Sequence, residues 1–353
     1  MECRVSVLSV EKLFVFEDTI FAERVYLRVL TILFLLALLL TGGVCYRLFV
    51  PYGTYNETFV DIPAGTRTLE IAQALEDGGV IRSRRGFEII RLIKGGKLKA
   101  GEYRFDHPDT LLNIYARMVK GDVFTVALSV PDGYNIYDIA QAAQAAGLGT
   151  REGFLAAARS QTALIGEFNQ HADSLEGYLF PDTYHFSRHA TDEQMVAAMV
   201  HRFRQTAAQI GLVSNVRDAV TMASLLEKES GVREERPIIA GVFENRLRKG
   251  MPLETDPSVI YAAMLEDRYR GTIYASDLES TSAYNTYKHV GLPPGPVCNP
   301  GRDSLLAALH PAHTNYLYFV SDAAGHSMFA ADLKQQMLNV QQYRHTIESQ
   351  HAH

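Results

Sequence analysis

Residues 29–46 (VLTILFLLALLLTGGVCY) run for 18 positions without a charge, bracketed by Arg28 and Arg47. That is about the shortest run that crosses a bilayer core as a helix. It constrains the whole chain, because everything after it must fold on one side of a membrane. The stretch Tyr46-Arg47-Leu48-Phe49 lacks a small-x-small cleavage site, so the run reads as a retained transmembrane anchor over 29–48 and not as a removed signal. Lys12, Arg24 and Arg28 precede it, whereas beyond it only Arg47 is near and the next basic residue is Arg67. By the positive-inside rule residues 1–28 are then cytoplasmic and the bulk of the chain lies outside the cytoplasm. Those first residues mix acids, bases and aromatics without a clear period, and Val25 is an alternative start if its codon is GTG.

After Pro51 the pattern alternates through residues 57–63, turns helical at 66–75 and 86–93, and is extended again at 102–105: a small strand-helix-helix-strand module. An amphipathic helix at 111–119 and a strand at 123–130 come next, closed by the turn Pro131-Asp-Gly133. Helices are predicted at 136–146, 151–158 and 192–211, with an aromatic, turn-rich loop at 176–185. The next helix starts near Asn215 or Asp218, either of which suits a cap, and another covers 233–248 with Pro237 in its first turn. Beyond it, loop-forming clusters at 254–261, 282–287, 291–295, 299–301 and 310–311 are separated by short apolar pieces. A strand at 316–320 and a surface helix at 332–348 close an α+β chain.

Composition narrows the chemistry. With 353 residues and 47% hydrophobic content, more than one core can be buried, while a net charge of -6 gives no broad basic footprint for nucleic acid. The 18 Tyr and 17 Phe supply aromatic surface that suits sugar faces, though core filling accounts for most of them. Cys3, Cys45 and Cys298 are odd in number and widely spaced, which suggests neither a zinc site nor a disulfide framework. Cys298 should be unpaired, since Cys45 lies in the span and Cys3 across it. Motifs for zinc peptidases, α/β-hydrolases and nucleotide loops are missing from the sequence. The pair His310/His313 has no acidic or thiol cluster beside it, so no metal or cofactor is expected. Gly291-Leu-Pro-Pro-Gly295 resembles a phosphate cradle only superficially, because prolines lack the N–H groups such a cradle uses; a rigid cleft wall fits it better.

The stretch Thr221-Met-Ala-Ser-Leu-Leu-Glu-Lys-Glu-Ser230 carries the candidate chemistry. Met222, Leu225 and Leu226 fall at i, i+3 and i+4 of a helix, and i+7 of that apolar stripe is Glu229. Glu227 lies roughly 200° around the helix from it, so the two acids cannot meet on one substrate. Most helical glutamates are simply solvated; a carboxylate that continues an apolar stripe is a different matter.

Six segments in order, Leu226-Glu-Lys-Glu-Ser230, Phe243-Glu-Asn-Arg-Leu247, Thr255-Asp-Pro-Ser-Val-Ile-Tyr261, Ala283-Tyr-Asn-Thr-Tyr287, Gly291-Leu-Pro-Pro-Gly295 and Ala308-Leu-His-Pro-Ala312, resemble the motif series of the YceG-like family, the endolytic murein (peptidoglycan) transglycosylases. The similarity also takes in Ala100-Gly-Glu-Tyr-Arg-Phe105, residues 176–184 and the anchor. The resemblance implies a single-pass inner-membrane lyase with a LysM-like subdomain (56–125) and a catalytic domain (126–353) in the periplasm. Such an enzyme cleaves the MurNAc-β-1,4-GlcNAc bond within nascent glycan strands, leaves 1,6-anhydromuramic ends, and so terminates strand elongation. Peptidoglycan, the inner membrane and peptidoglycan synthases (penicillin-binding proteins) are the implied partners. The glutamate before Ser or Thr in the E-K-E-[ST] motif is the implied catalytic residue, here Glu229. Two departures stand out: a longer pre-membrane extension, and Ser230 where Thr also occurs.

Ordinary glycosidases use two carboxyl groups. A lytic transglycosylase needs one, because the sugar's C6 hydroxyl is the internal nucleophile. That one must protonate the leaving oxygen and take the C6 proton, which calls for a raised pKa, and the face beside Leu225 and Leu226 supplies desolvation. Asp256, Tyr284 and Asn285 are the candidates for positioning the sugar, against the alternative that they scaffold turns. Two further readings compete: a non-catalytic peptidoglycan-binding scaffold, and a hydrolytic muramidase with Glu254 or Asp256 as second acid.

Overall fold

The computed structural model describes residues 8–322 and 324–351, with side chains from Tyr26 to Glu348. Cys3, and the side chains of Lys12 and Arg24, lie outside the described residues. Contacts divide the chain into two compact units that meet at Phe124/Thr125.

The first unit opens with α1 (Leu8–Phe49), whose segment Tyr26–Phe49 is long and apolar enough to cross a membrane. The helix starts well before the apolar run, in residues where the sequence shows no period. Then come β1 (Thr58–Ile62), α2 (Thr68–Asp77), α3 (Arg84–Lys94), β2 (Gly101–Phe105) and α4 (Leu111–Lys120). β1 and β2 pair antiparallel, with Thr58 opposite Phe105 and Ile62 opposite Gly101. Their alternation turns Val60, Ile62, Tyr103 and Phe105 onto Ile71, Leu75, Phe87, Ile90, Ile114 and Met118. Thr110 caps α4 by accepting from the Asn113 N–H, and Gly121 ends it in the left-handed region. Leu48, at the end of α1, packs on the same core.

The second unit contains β3 (Val126–Ser129), α5 (Ile136–Ala145), α6 (Arg151–Ser160), β4 (Thr183–Phe186), α7 (Asp192–Gln209), α8 (Val216–Glu229), α9 (Arg236–Arg248) and α10 (Asp256–Leu265). It closes with α11 (Ala275–Leu278), α12 (Arg302–Leu309), β5 (Tyr318–Ser321), β6 (Ser327–Ala330) and α13 (Leu333–His351). Its sheets are two antiparallel pairs, β3 with β4 and β5 with β6. Helix α8 is the axis. Val216, Val220 and Ala223 join a core with β3, α5, α6 and α7, while Met222, Leu225 and Leu226 join a second with Ile239, Phe243, Leu253, Tyr261 and Val297. A helix buried on two sides has little polar face left, so its few charged groups stand out.

Three readings change. The segment 254–261 is helical from Asp256, because Pro257 occupies the first turn, where its missing N–H is no loss; what looked like a turn is a helix start. Strand β4 emerges from the segment read as a loop, since Tyr184 and Phe186 pair with Leu128 and Val126. Asn215 precedes α8 but sits in the left-handed region (φ 53°) and makes no side-chain cap, while Asp218 lies inside the first turn. At Gly241 in α9 a Cβ would collide with the Ala312 carbonyl, so glycine lets the Ala308–Ala312 segment lie directly on the helix.

Candidate active site

Helix α8 ends at Glu229, after which Ser230 turns extended (φ -132°, ψ 126°). The two glutamates of this last turn have opposite fates. The side chain of Glu227 is 5% exposed and fully engaged: Arg236 Nη2 lies 2.8 Å from Oε1, and the Gly301 N–H donates to Oε2 over 2.9 Å. The same guanidinium donates to the Ser230 carbonyl (3.2 Å) and to Ser304 Oγ (2.9 Å). Glu227 therefore locks α8 to α9 and sits at the N-terminal end of α12, where a carboxylate is stabilised by the helix dipole.

Glu229 is half-buried, and among the described residues no hydrogen bond or ion pair reaches its carboxyl. Burial pushes its pKa up to about 8; the charge of Asp256 adds to the rise and Arg246 opposes it. Its place at the negative end of α8 acts in the same upward direction. The carboxyl is thus held largely as the neutral acid at neutral pH, while part of it still meets solvent.

The surroundings are fixed by a buried hydroxyl cluster. Thr286 Oγ1 accepts from the Thr255 N–H (2.9 Å) and lies 2.8 Å from Ser258 Oγ, whose hydroxyl donates to the Thr255 carbonyl (2.7 Å). This ties the start of α10 to the 283–287 segment and places Tyr287, whose hydroxyl donates to Asp256 Oδ1 over 2.7 Å, beside Asp256. Burial, then that bond, raises the Tyr287 pKa, and Glu229 is among the charges it feels. Arg246, 8% exposed, donates to the Leu317, Pro252 and Leu253 carbonyls and to Glu254 Oε2 (3.0 Å). Glu254 holds a left-handed backbone (φ 56°), a strained state for a non-glycine residue, and Arg246 helps to hold it there.

Of the three positioning candidates, the structure brings Asp256 to Glu229. It does not bring Asn285, which is fully buried with its amide donating to the Leu278 and Ser280 carbonyls and its oxygen accepting from the Tyr287 N–H. That is turn scaffolding, the alternative weighed from sequence. Tyr284 also faces elsewhere: its ring lies 5.2 Å from that of Tyr261, and its pKa is pushed up to about 12 by burial and by the charge of Glu176. Tyr287, in the same five-residue motif, is the residue that reaches Asp256, a contact that motif spacing alone does not show.

A second carboxyl, Glu176, is also raised to about 8 by burial. It is 4% exposed and accepts from the Ile136 N–H (3.0 Å), the Tyr261 hydroxyl (3.0 Å) and the Asn299 amide (2.9 Å). Sealed and satisfied, it ties the 176–184 segment to α5, α10 and Asn299. Glu229 alone of the pair is unpartnered and reachable. Among the described residues no group of three His, Cys, Asp or Glu is placed to hold a metal ion.

In this mixed α+β unit Glu229 is a reachable carboxyl of raised pKa at a helix end, the kind of group that suits general acid-base chemistry. The YceG-like family model matches residues 60–342, and the chain belongs to that family. It is 33% identical over 300 residues to an endolytic murein transglycosylase of Bacillus subtilis, covering 78% of this chain and 82% of that one. A Streptococcus pneumoniae protein of the same name is 31% identical over 350 residues, covering 86% of this chain; the match spans 62% of the longer streptococcal protein. The crystal structure of a YceG-like protein from Listeria monocytogenes aligns with a TM-score of 0.55 at 32% identity, covering 80% of this chain and 99% of that one.

Proposed function

We propose that this protein is an endolytic peptidoglycan lytic transglycosylase in which Glu229 is the single general acid and base. The reading rests on one observation above others: the family-motif glutamate is the unpartnered, partly accessible carboxyl held near pKa 8 beside Asp256. In the neutral form it protonates the glycosidic oxygen as the MurNAc-GlcNAc bond breaks; as the carboxylate it then accepts the C6 hydroxyl proton while that oxygen closes on C1. The products are a free GlcNAc 4-hydroxyl and a 1,6-anhydromuramic end, with no net proton consumed. The charge of Asp256, whose carboxylate accepts from Tyr287, favours the protonated Glu229 and supports a role for Asp256 beside the sugar. Cleavage within nascent strands would end their elongation, next to the synthases that make them.

The Tyr26–Phe49 segment supports a single-pass inner-membrane anchor, with the N-terminus cytoplasmic and the second unit periplasmic. The order β1-α2-α3-β2 supports a LysM-like subdomain over residues 56–125, leaving 126–353 as the catalytic domain. Hydrolysis is the second reading, favoured by the closeness of Asp256, which could serve as base for water. Mass spectrometry of ends released from defined glycan strands separates them: anhydro ends support the transglycosylase, reducing ends the hydrolase, and uncut strands a binding scaffold.

A further inference from the structure

Helix α3 carries a surface that the proposed chemistry does not use. Its Phe87 and Ile90 are buried in the first unit's core, yet Ile89, Leu92 and Ile93 on the other side are 54%, 85% and 78% exposed. Three large aliphatic side chains grouped on one exposed helix face are unusual for a surface that meets only water. The helix is also basic: Arg84, Arg85, Arg91 and Lys94 stand against Glu88 alone, and Lys97 comes soon after. Among the described residues Arg85, Arg91, Lys94 and Lys97 have no carboxylate within ion-pair distance. An apolar face flanked by unpaired cations has the chemistry of a helix that lies in a membrane interface.

Position supports the same occupant. Arg82, two residues before α3, donates to the Tyr46 hydroxyl (2.7 Å), and its guanidinium lies 4.5 Å from the Tyr46 ring and 4.9 Å from the Tyr52 ring. Tyr46 closes the uncharged run of α1, where an aromatic ring belongs at headgroup level. The start of α3 is therefore pinned at the height where the span leaves the bilayer. From Arg85 to Lys94 the helix rises about 14 Å, more than the roughly 5–8 Å depth of one interfacial layer, so its flanking cations and the apolar side chains between them share that layer only if α3 lies along it.

We infer that α3 docks the first unit on the surface of the membrane its own anchor spans, with Ile89, Leu92 and Ile93 entering the interface and the flanking cations on anionic lipid headgroups. This rests on the anchor reading. Each lysine or arginine at an anionic surface favours the docked state about fivefold, so lipid charge controls how the unit is held.

The test uses the full chain, with Cys3→Ser and Cys45→Ser and the buried Cys298 kept, reconstituted in nanodiscs. An environment-sensitive fluorophore is placed at Leu92→Cys or, as a report on the span, at Leu36→Cys, and lipids carry doxyl quenchers. In discs with phosphatidylglycerol, Leu92 should be quenched by shallow doxyl groups. That quenching should fall severalfold in phosphatidylcholine discs, and likewise when Arg85, Lys94 and Lys97 are all changed to Glu. Quenching at Leu36 with none at Leu92 overturns the docking while leaving the anchor; quenching at neither site overturns the anchor and the docking with it. Shielding of Leu92 by added glycan strands but not by lipid assigns the face to glycan and also overturns the proposal.

Discussion

Glu227 and Glu229 are separated by one lysine, and their environments give them different chemistry. The apolar stripe of Met222, Leu225 and Leu226 pointed at Glu229, and burial with the nearby Asp256 charge is what lifts its pKa to about 8. A carboxyl raised from 4.5 in the unfolded chain to about 8 in the folded one stays protonated longer when folded. Its stability contribution is full below about pH 4.5 and is lost as pH rises towards 8. Glu176 adds a loss of the same sign over the same window. Thermal melting should therefore show stability falling between pH 5 and 8, and falling less steeply in Glu229→Gln; an unchanged slope would mean that Glu229 titrates normally. Activity should fall as pH rises through about 8, where the acid form disappears. Asp256→Asn removes one cause of the raised pKa, so that limb of the pH profile should move to lower pH; an unmoved limb, or one moved upward, would remove Asp256 from the electrostatics of the site.

The last turn of α8 is held by a clamp that spacing alone could not show. Arg236 reads from sequence as one more charge in the first turn of a helix, yet it joins Glu227 and the Ser230 carbonyl at the end of α8 to Ser304 of α12. Removing one partner of a buried ion pair leaves the other uncompensated and costs roughly 3–5 kcal/mol. Glu227→Gln should lower the melting temperature by about 10 °C while keeping most activity per folded molecule. An inactive variant with an unchanged melting curve would exchange the roles of the two glutamates. Most elements were legible because period and caps agree with packing: α4, α5 and α7 start where Thr110, Asn135 and Thr191 accept from the first turn. Helices α10 and α12 were not, because Thr255-Asp-Pro and Asn299-Pro-Gly spell turns locally and become helix starts only when the cores cover Tyr261 of the one and Leu305 and Ala307 of the other. Asn285 leaves both roles open in sequence, because a motif asparagine looks the same whether its amide faces a sugar or, as here, two loop carbonyls.

Across the chain, a helix long and apolar enough to cross a membrane and the family were legible, because long apolar runs and ordered motifs survive without knowledge of packing; the pairing of Asp256 with Tyr287 across 31 positions was not. A reporter fused after His353 should be active only as a periplasmic type, and activity of a cytoplasm-only reporter there would reverse the topology. Cys298 is free and fully buried, its thiol donating to the Ser224 carbonyl over 3.3 Å, and burial raises its pKa well above the usual thiol range. In the native protein it should resist thiol reagents and react only on denaturation; rapid native labelling would contradict that packing. The central claim is that one proton-carrying side chain cuts the glycan. Glu229→Gln keeps the size and polarity of the side chain but carries no transferable proton. On defined glycan strands, with melting curves confirming the fold, its rate of anhydro-end release should be lower than that of the parent chain by roughly 10²–10⁴-fold or more. A folded Glu229→Gln protein that releases anhydro ends at the parent rate would contradict the account.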